Sequence, residues 1–145
     1  MSLDEELANV IKEWGKAWES MDVDGAARLD EGAVGYGFRT KKWRDGTISK
    51  ANEHQQGIKR FLDGMEKWHT EFIELHTRVD GDIGLAWGTH IEEYIPKGKP
   101  AEVARVRFTF TLKRTGKNWR IILYHRDIQP FDDSGLYMTK FTRAL

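Results

Sequence analysis

The chain has 145 residues, a length that fits one compact domain with a sizeable apolar core. Lys and Arg together number 23, as do Asp and Glu, so no net charge draws the chain to nucleic acid or to an anionic membrane. The chain contains no cysteine, which excludes a disulfide framework, thiol catalysis and cysteine metal ligands. No apolar run approaches the roughly 20 residues of a membrane span and the N-terminus is acidic, so we expect a cytoplasmic protein with no nucleic-acid or membrane partner.

The N-terminal part of the chain predicts helices. Ser2 and Glu5 have the spacing of a capping box, and apolar residues then recur at helical spacing to about residue 20. Trp14 and Trp18 lie one turn apart on the apolar side of this helix. A short second helix through residue 29 is expected next, with Asp24 as its cap.

The middle of the chain has weaker periodicity. Ala33–Phe38 is predicted to be a short extended piece, and Arg39–Ser49 has no clear period and is predicted to be a loop across the mouth of the domain. Apolar residues from Ile58 to Trp68 then recur at helical spacing. A third helix is expected over that stretch.

Beyond the third helix the apolar period changes to two, which is typical of strands. Helices followed by a run of strands predict an α+β domain, in which helices pack on one face of a bent antiparallel sheet. We expect a single domain over residues 1–145, with 131–145 as a peripheral extension. The four predicted strands form a meander and comprise Phe72–Val79, Ile83–Ile95, Ala101–Lys113 and Trp119–Gln129.

The last two predicted strands carry the charged residues of greatest interest. If they pair as a hairpin about Gly116, Arg107 lies opposite His125 and Arg105 lies opposite Asp127. All four side chains then share one face of the sheet. Charge at one end of an otherwise apolar face is typical of a binding pocket. The same face is predicted to carry Thr109, Thr111, Ile121 and Leu123.

This order of elements resembles the NTF2-like superfamily. The most specific parts of the resemblance are Arg107-x-Thr109 and the final segment, which begins with Gly116-Lys-x-Trp and ends with His125-Arg. Within this superfamily, the SnoaL-like proteins and the association domain of calmodulin-dependent kinase II are most similar. The resemblance implies an NTF2-like (cystatin-like) cone, with N-terminal helices packed on a strongly bent antiparallel sheet. It also implies a pocket between the concave sheet face and helix one, and a homodimer through the outer sheet face.

The resemblance also bears on chemistry. Ketosteroid isomerases of this superfamily use a helix-one tyrosine and an aspartate after the second helix, and the matching positions here are Trp14 and Gly37. Neither residue can perform those roles, because the tryptophan replaces a phenol and glycine has no side chain, so steroid isomerase chemistry is not expected. SnoaL-type cyclases carry an acid/base aspartate on a late strand near a histidine, and Asp127 beside His125 is the residue that matches.

The charged residues have two interpretations. His125 and Asp127 are two apart on a strand, so the carboxylate can orient the imidazole for proton transfer. Alternatively, Arg105 and Arg107 neutralise Asp127 in a structural cluster, or bind the carboxylate or phosphate of a ligand.

The aromatic residues also have two interpretations. Trp14 and Trp18 are either simple core residues or the wall of the pocket. In the second case Tyr36, Phe38 and Trp87 complete an aromatic box for a planar or apolar ligand. Histidine spacing gives no metal-binding motif, so neither a metal nor another cofactor is expected.

The opposite sheet face is predicted to be the dimer surface. Helices cover only one face, and a large exposed apolar stripe indicates a partner. The stripe comprises Val106, Phe108, Phe110, Leu112, Ile122 and Tyr124. The small residues Gly84, Ala86 and Gly88 are expected to let a second sheet approach closely.

Two functional hypotheses follow from these patterns. The first is a homodimeric pocket protein that binds a small organic, anionic ligand. The second is a small-molecule isomerase, cyclase or hydratase in which His125 and Asp127 transfer protons.

Overall fold

The computed structural model describes residues 1–36, 40–42, 46–50 and 53–130, with side chains described at all of these except 31–36, 40–42 and 128–130. Three helices precede a long antiparallel sheet, as an α+β domain requires. The helices are α1 (Leu3–Glu19), α2 (Val23–Tyr36) and α3 (His54–Asp63), and the strands are β1 (Thr40–Lys42), β2 (Ile48–Lys50), β3 (Met65–Asp80), β4 (Ile83–Pro96), β5 (Glu102–Thr115) and β6 (Asn118–Pro130).

Helix α1 begins at the predicted capping box. The Ser2 hydroxyl accepts a hydrogen bond from the Glu5 backbone N–H at 3.2 Å, and the Glu5 carboxylate accepts one from the Ser2 N–H at 2.7 Å. These two bonds satisfy backbone donors that a helix start leaves unpaired. Leu7, Ile11 and Trp18 are buried on the inner side of the helix. The prediction for helix one is confirmed.

Helix α2 is longer than predicted and has a different cap. It continues to Tyr36, so the predicted extended piece Ala33–Phe38 is wrong for residues 33–36, and Phe38 lies outside the described residues. Asp22, rather than Asp24, accepts a hydrogen bond from the Gly25 N–H at 3.1 Å. Glycines at 32 and 35 weaken the local helix signal, but packing of α2 against β6 and α3 stabilises the helix.

The region between α2 and β3 also differs from the prediction. β1 and β2 pair as an antiparallel hairpin from Thr40↔Lys50 to Lys42↔Ile48, so the predicted loop is wrong for these residues. Three-residue strands are too short to show an alternating pattern. Helix α3 ends at Asp63, and Trp68 lies in β3. The predicted third helix therefore extends too far.

The large sheet is a curved meander with strand order β3-β4-β5-β6, as predicted. The register between β3 and β4 shifts after Phe72, where β3 has a bulge. Opposite this bulge lies Gly88, at which an added Cβ would lie 2.0 Å from the Glu74 carbonyl oxygen. Only glycine fits this close approach of two backbones.

The helices pack on the sheet face that carries the alternating apolar residues of β5. Phe108, Phe110 and Leu112 are buried there with Leu7 and Ile11 of α1. Gly84 makes room for this packing, because an added Cβ would lie 2.7 Å from Leu7 and 2.8 Å from Trp119. Four of the six residues of the stripe predicted to face a partner are therefore buried inside the protomer, and that prediction is wrong for Val106, Phe108, Phe110 and Leu112.

Candidate functional site

The predicted charged face lies on the outside of the sheet. Asp127 accepts a hydrogen bond from Arg107 Nη2 at 3.4 Å, and its second oxygen lies 3.1 Å from His125 Nε2. The Arg107 and His125 side chains are 56% and 75% exposed. Asp127 and His125 thus form the expected pair, but they face away from the helices. The prediction that they and Arg107 line an enclosed pocket on the helix side is wrong.

The register of the β5–β6 hairpin also differs from the prediction. Arg107 lies opposite Asp127, and Arg105 lies opposite Gln129. The turn has two central residues, since Thr115 pairs with Asn118, and a bulge follows between Thr111 and Leu112. Each irregularity adds one residue to the offset between the strands. The bulge also turns Ile121 to the inner face, where it is fully buried.

The aromatic residues predicted to line the pocket separate into two groups. Trp14 and Trp18 lie between α1 and the sheet with ring centroids 6.2 Å apart. Trp87 lies on the outer face, 41% exposed, and stacks on His76 at 5.6 Å. Its predicted place in the aromatic box is wrong. The Tyr36 side chain and the whole of Phe38 lie outside the described residues.

The inner sheet face carries a continuous aromatic layer. Trp14 contacts Phe110 edge to face, with centroids 5.5 Å apart, and Phe110 lies 4.9 Å from Phe108. Phe108 stacks on His90 at 5.3 Å, and Phe72 meets the same imidazole edge to face at 5.5 Å. Such ring pairs are rigid and apolar. They form a wall suited to the apolar part of a small molecule.

A charged cluster lies beside this layer. Glu92 Oε1 is 3.0 Å from His90 Nε2 and accepts a hydrogen bond from Arg126 Nη2 at 2.6 Å. The His90 and Glu92 side chains are each 3% exposed, and that of Arg126 is 33% exposed. A buried carboxylate is costly unless it is paired and hydrogen-bonded. Arg126 thus stabilises Glu92 and reaches from the interior towards the surface.

Three buried polar atoms of this region have no hydrogen-bond partner among the described residues. They are Nε1 of Trp14, Nδ1 of His90 and Nε of Arg126. Buried polar groups in folded proteins nearly always have a partner, which is a protein group, a water molecule or a ligand. We therefore take His90, Glu92, Arg126 and Trp14 as the candidate functional site.

The alternation of residues along β4 is a sequence signal for this site, although it matches no metal-binding motif. Residues 84, 86 and 88 of β4 are small and face inward, and His90 and Glu92 continue the same alternation. Polar residues in the inward phase of a strand indicate a buried polar site. Among the side chains described, no three metal-ligating groups come together.

Two further features lie away from His90, Glu92 and Arg126, although the second includes Trp14. His54 Nε2 is 3.4 Å from Asp30 Oδ2, and this buried pair joins α3 to α2. A cleft of about 830 Å³ lies between α1, α2 and the start of β6, with Trp14, Arg28 and Arg120 in its lining. None of the helices in the described part of the chain is both long enough and apolar enough to cross a bilayer.

Comparison with known families agrees with this fold. A SnoaL-like domain profile matches residues 7–128. The chain belongs to the SnoaL-like domain family. No curated protein matches it significantly. The family assignment and the NTF2-like, cystatin-like fold implied by the sequence are confirmed.

Solved structures of the same fold extend this comparison. An NTF2-like superfamily protein from Salmonella enterica serovar Typhimurium is 11% identical, with coverage of 89% of this chain and 92% of that one and a TM-score of 0.70. The S. rosetta CaMKII hub is 16% identical, with coverage of 88% and 98% and a TM-score of 0.65. An uncharacterized protein with a cystatin-like fold from Caulobacter vibrioides is 16% identical, with coverage of 94% and 95% and a TM-score of 0.65. At these identities the likeness of this SnoaL-like chain to each is one of fold.

Proposed function

We propose that this SnoaL-like protein binds a small organic acid at its inner sheet face, with Arg126 as the anchor. One observation carries the proposal. A guanidinium has five N–H donors, and within the described structure Arg126 uses one of them, on Glu92, while its buried Nε has no partner. Donors held in this way match a carboxylate, which accepts paired N–H bonds from arginine.

The ion pair with Glu92 orients the guanidinium without using all of its donors. The 2.6 Å bond from Nη2 to Glu92 Oε1 holds one side of the group. Because Glu92 balances the charge, affinity at this site depends on directed hydrogen bonds more than on net attraction. Low solvent access strengthens such bonds.

The aromatic layer defines the rest of the ligand. Phe108 and Phe110 are 3% exposed, and they connect the charged cluster to Trp14 through ring contacts. A ligand that uses both regions has an acid group at one end and an apolar or aromatic body at the other. This combination is typical of pockets for small molecules.

We further propose that the protein is a homodimer through the outer sheet face. The supporting residues differ from the predicted stripe, since they are the large exposed apolar side chains Leu85, Trp87, Val103 and Leu123. Together with Arg107 and Thr109 they form a mixed apolar and polar surface, which is typical of protein interfaces. The fold shared with the S. rosetta CaMKII hub supports self-association.

Acid–base catalysis by His125 and Asp127 is the weaker alternative. Both side chains are exposed in the protomer, and water there competes for any substrate proton and weakens electrostatic catalysis. The alternative requires the second copy of the proposed homodimer to cover this face, whereas ligand binding at the inner face requires no second copy.

The test compares phenylacetate with phenylacetamide, which differ only in the acid group. We expect phenylacetate to bind and Arg126→Met to weaken it at least about tenfold, since hydrogen bonds to charged groups contribute about 1.5–3 kcal/mol. Isothermal titration calorimetry measures both affinities. Arg107→Met is the matched control and should bind as the unaltered protein does. Equal binding of acid and amide, or an equal loss in both variants, would contradict the proposal.

A further inference from the structure

The His90 imidazole is held rigidly. It is 3% exposed and lies between the face of Phe108, at 22° and 5.3 Å, and the edge of Phe72, at 85° and 5.5 Å. Ring contacts of this kind restrict the rotation of a side chain. The two ring nitrogens therefore point in defined and different directions.

Glu92 selects the tautomer of this ring. Nε2 of His90 lies 3.0 Å from Glu92 Oε1, and an ionised carboxylate only accepts hydrogen bonds. The guanidinium of Arg126, at 2.6 Å from the same oxygen, stabilises the ionised carboxylate. In neutral His90 the proton is therefore placed on Nε2, and Nδ1 carries a free lone pair.

Nδ1 is thus a buried acceptor that needs a donor. It has no hydrogen-bond partner among the described residues. Arg126 belongs to the same cluster, because its Nη2 and His90 Nε2 both lie within 3.0 Å of one oxygen of Glu92, and its Nε has no partner among the described residues. One cluster therefore contains an unpaired acceptor on His90 and unused donors on Arg126.

We infer that the ligand is a hydroxy-substituted organic acid, with its carboxylate on Arg126 and its hydroxyl donating to His90 Nδ1. This inference rests on the proposed function and adds the chemical class of the ligand. A deoxy acid would satisfy Arg126 but leave Nδ1 unpaired. Sites that hydrogen-bond a hydroxyl reject analogues that lack it, because the buried group loses its partner.

The binding test uses mandelate against phenylacetate, and lactate against propionate. These pairs differ only in the hydroxyl next to the acid group. We expect each hydroxy acid to bind at least about tenfold more tightly, which corresponds to one buried hydrogen bond. His90→Phe keeps an aromatic ring on Phe108 and should remove this preference while phenylacetate still binds. His69→Phe, which changes a partly exposed histidine paired with Glu19, should keep this preference.

The outcomes separate the two claims. If both acids of a pair bind equally to the unaltered protein, the inference is wrong and the proposed function stands. If none of the four acids binds, both are wrong. If the preference persists in His90→Phe, the hydroxyl is recognised elsewhere and the inference is also wrong.

A second measurement needs no ligand. Nitrogen-15 spectra of the five histidines distinguish protonated from unprotonated ring nitrogens, and the His90→Phe spectrum assigns the signals of His90. We expect a proton on Nε2 and none on Nδ1. A neutral His90 with its proton on Nδ1 would overturn the inference whatever the binding data show.

Discussion

At the scale of single residues, two arginine–carboxylate pairs on opposite faces of the sheet differ in environment. Arg126 bonds to Glu92 at 2.6 Å, where the carboxylate is 3% exposed. Arg107 bonds to Asp127 at 3.4 Å, where the carboxylate is 42% exposed. Water screens the second pair but barely reaches the carboxylate of the first. The same chemical pairing therefore has different consequences for stability.

Removal of each arginine should reveal this difference. We expect Arg126→Met to lower the free energy of unfolding by about 3–5 kcal/mol, because it removes the guanidinium that pairs with a buried carboxylate. Arg107→Met should lower it by less than about 1 kcal/mol, as is usual for exposed pairs. Urea denaturation followed by tryptophan fluorescence measures both. Equal effects would show that Glu92 is solvated in solution.

At the scale of elements, strand β4 controls how the sheet fits its neighbours. Gly84 admits Leu7 and Trp119, and Gly88 admits the β3 backbone at its bulge. The sequence shows these small residues but not their neighbours. They were predicted to admit a partner sheet, whereas they admit a helix and an adjacent strand of the same chain. His90 lies two residues beyond Gly88, so the bulge also positions the candidate site.

Gly88→Ala should therefore disrupt both pairing and binding. The added Cβ would lie 2.0 Å from the Glu74 carbonyl oxygen, which neither backbone can avoid without moving. We expect a loss of about 1–3 kcal/mol or more in the free energy of unfolding, as in other overpacked sites. Gly64→Ala is the control, because its Cβ would lie 3.4 Å from the nearest atom and should change stability by at most about 0.5 kcal/mol. Thermal unfolding measures the melting temperatures of the two variants. Similar melting temperatures would contradict the predicted clash at Gly88.

At the scale of the whole molecule, the two faces of the sheet differ in burial. The inner face buries Phe108 and Phe110 against α1. The outer face leaves Leu85, Trp87 and Leu123 at 40–51% exposure. A standard interface buries about 800 Å² per partner, and the outer face is where we expect it.

A lysine introduced on the outer face should change the oligomeric state, whereas a lysine introduced on the inner face should prevent folding. Trp87→Lys should convert the proposed homodimer to a folded monomer, because it places a charge in an apolar contact. Phe108→Lys should abolish folding, because the same charge would enter the core. Light scattering coupled to size exclusion gives the mass, and circular dichroism gives the fold. A monomeric unaltered protein, or a dimeric Trp87→Lys variant, would refute the proposed interface.

The sequence alone determined the features that depend on residues close together in the sequence. Capping at Ser2, the periodicity of α1 and the alternation of β3–β6 all involve residues a few positions apart. The face shared by Arg107, His125 and Asp127 was predicted correctly for the same reason, since alternate residues of a strand share a face. These local rules, with the family resemblance, were enough for the fold.

Only the tertiary structure decided which sheet face is inside. The charged face was expected to line the pocket, but burial of Phe108, Phe110 and Leu112 removes far more apolar area from water than burial of Arg107 and Thr109 would. The charged face therefore remains outside. The cluster of His90, Glu92 and Arg126 also depends on long-range pairing, because Arg126 reaches Glu92 only after β4, β5 and β6 are in register. No local pattern encodes a contact between residues so far apart in the chain.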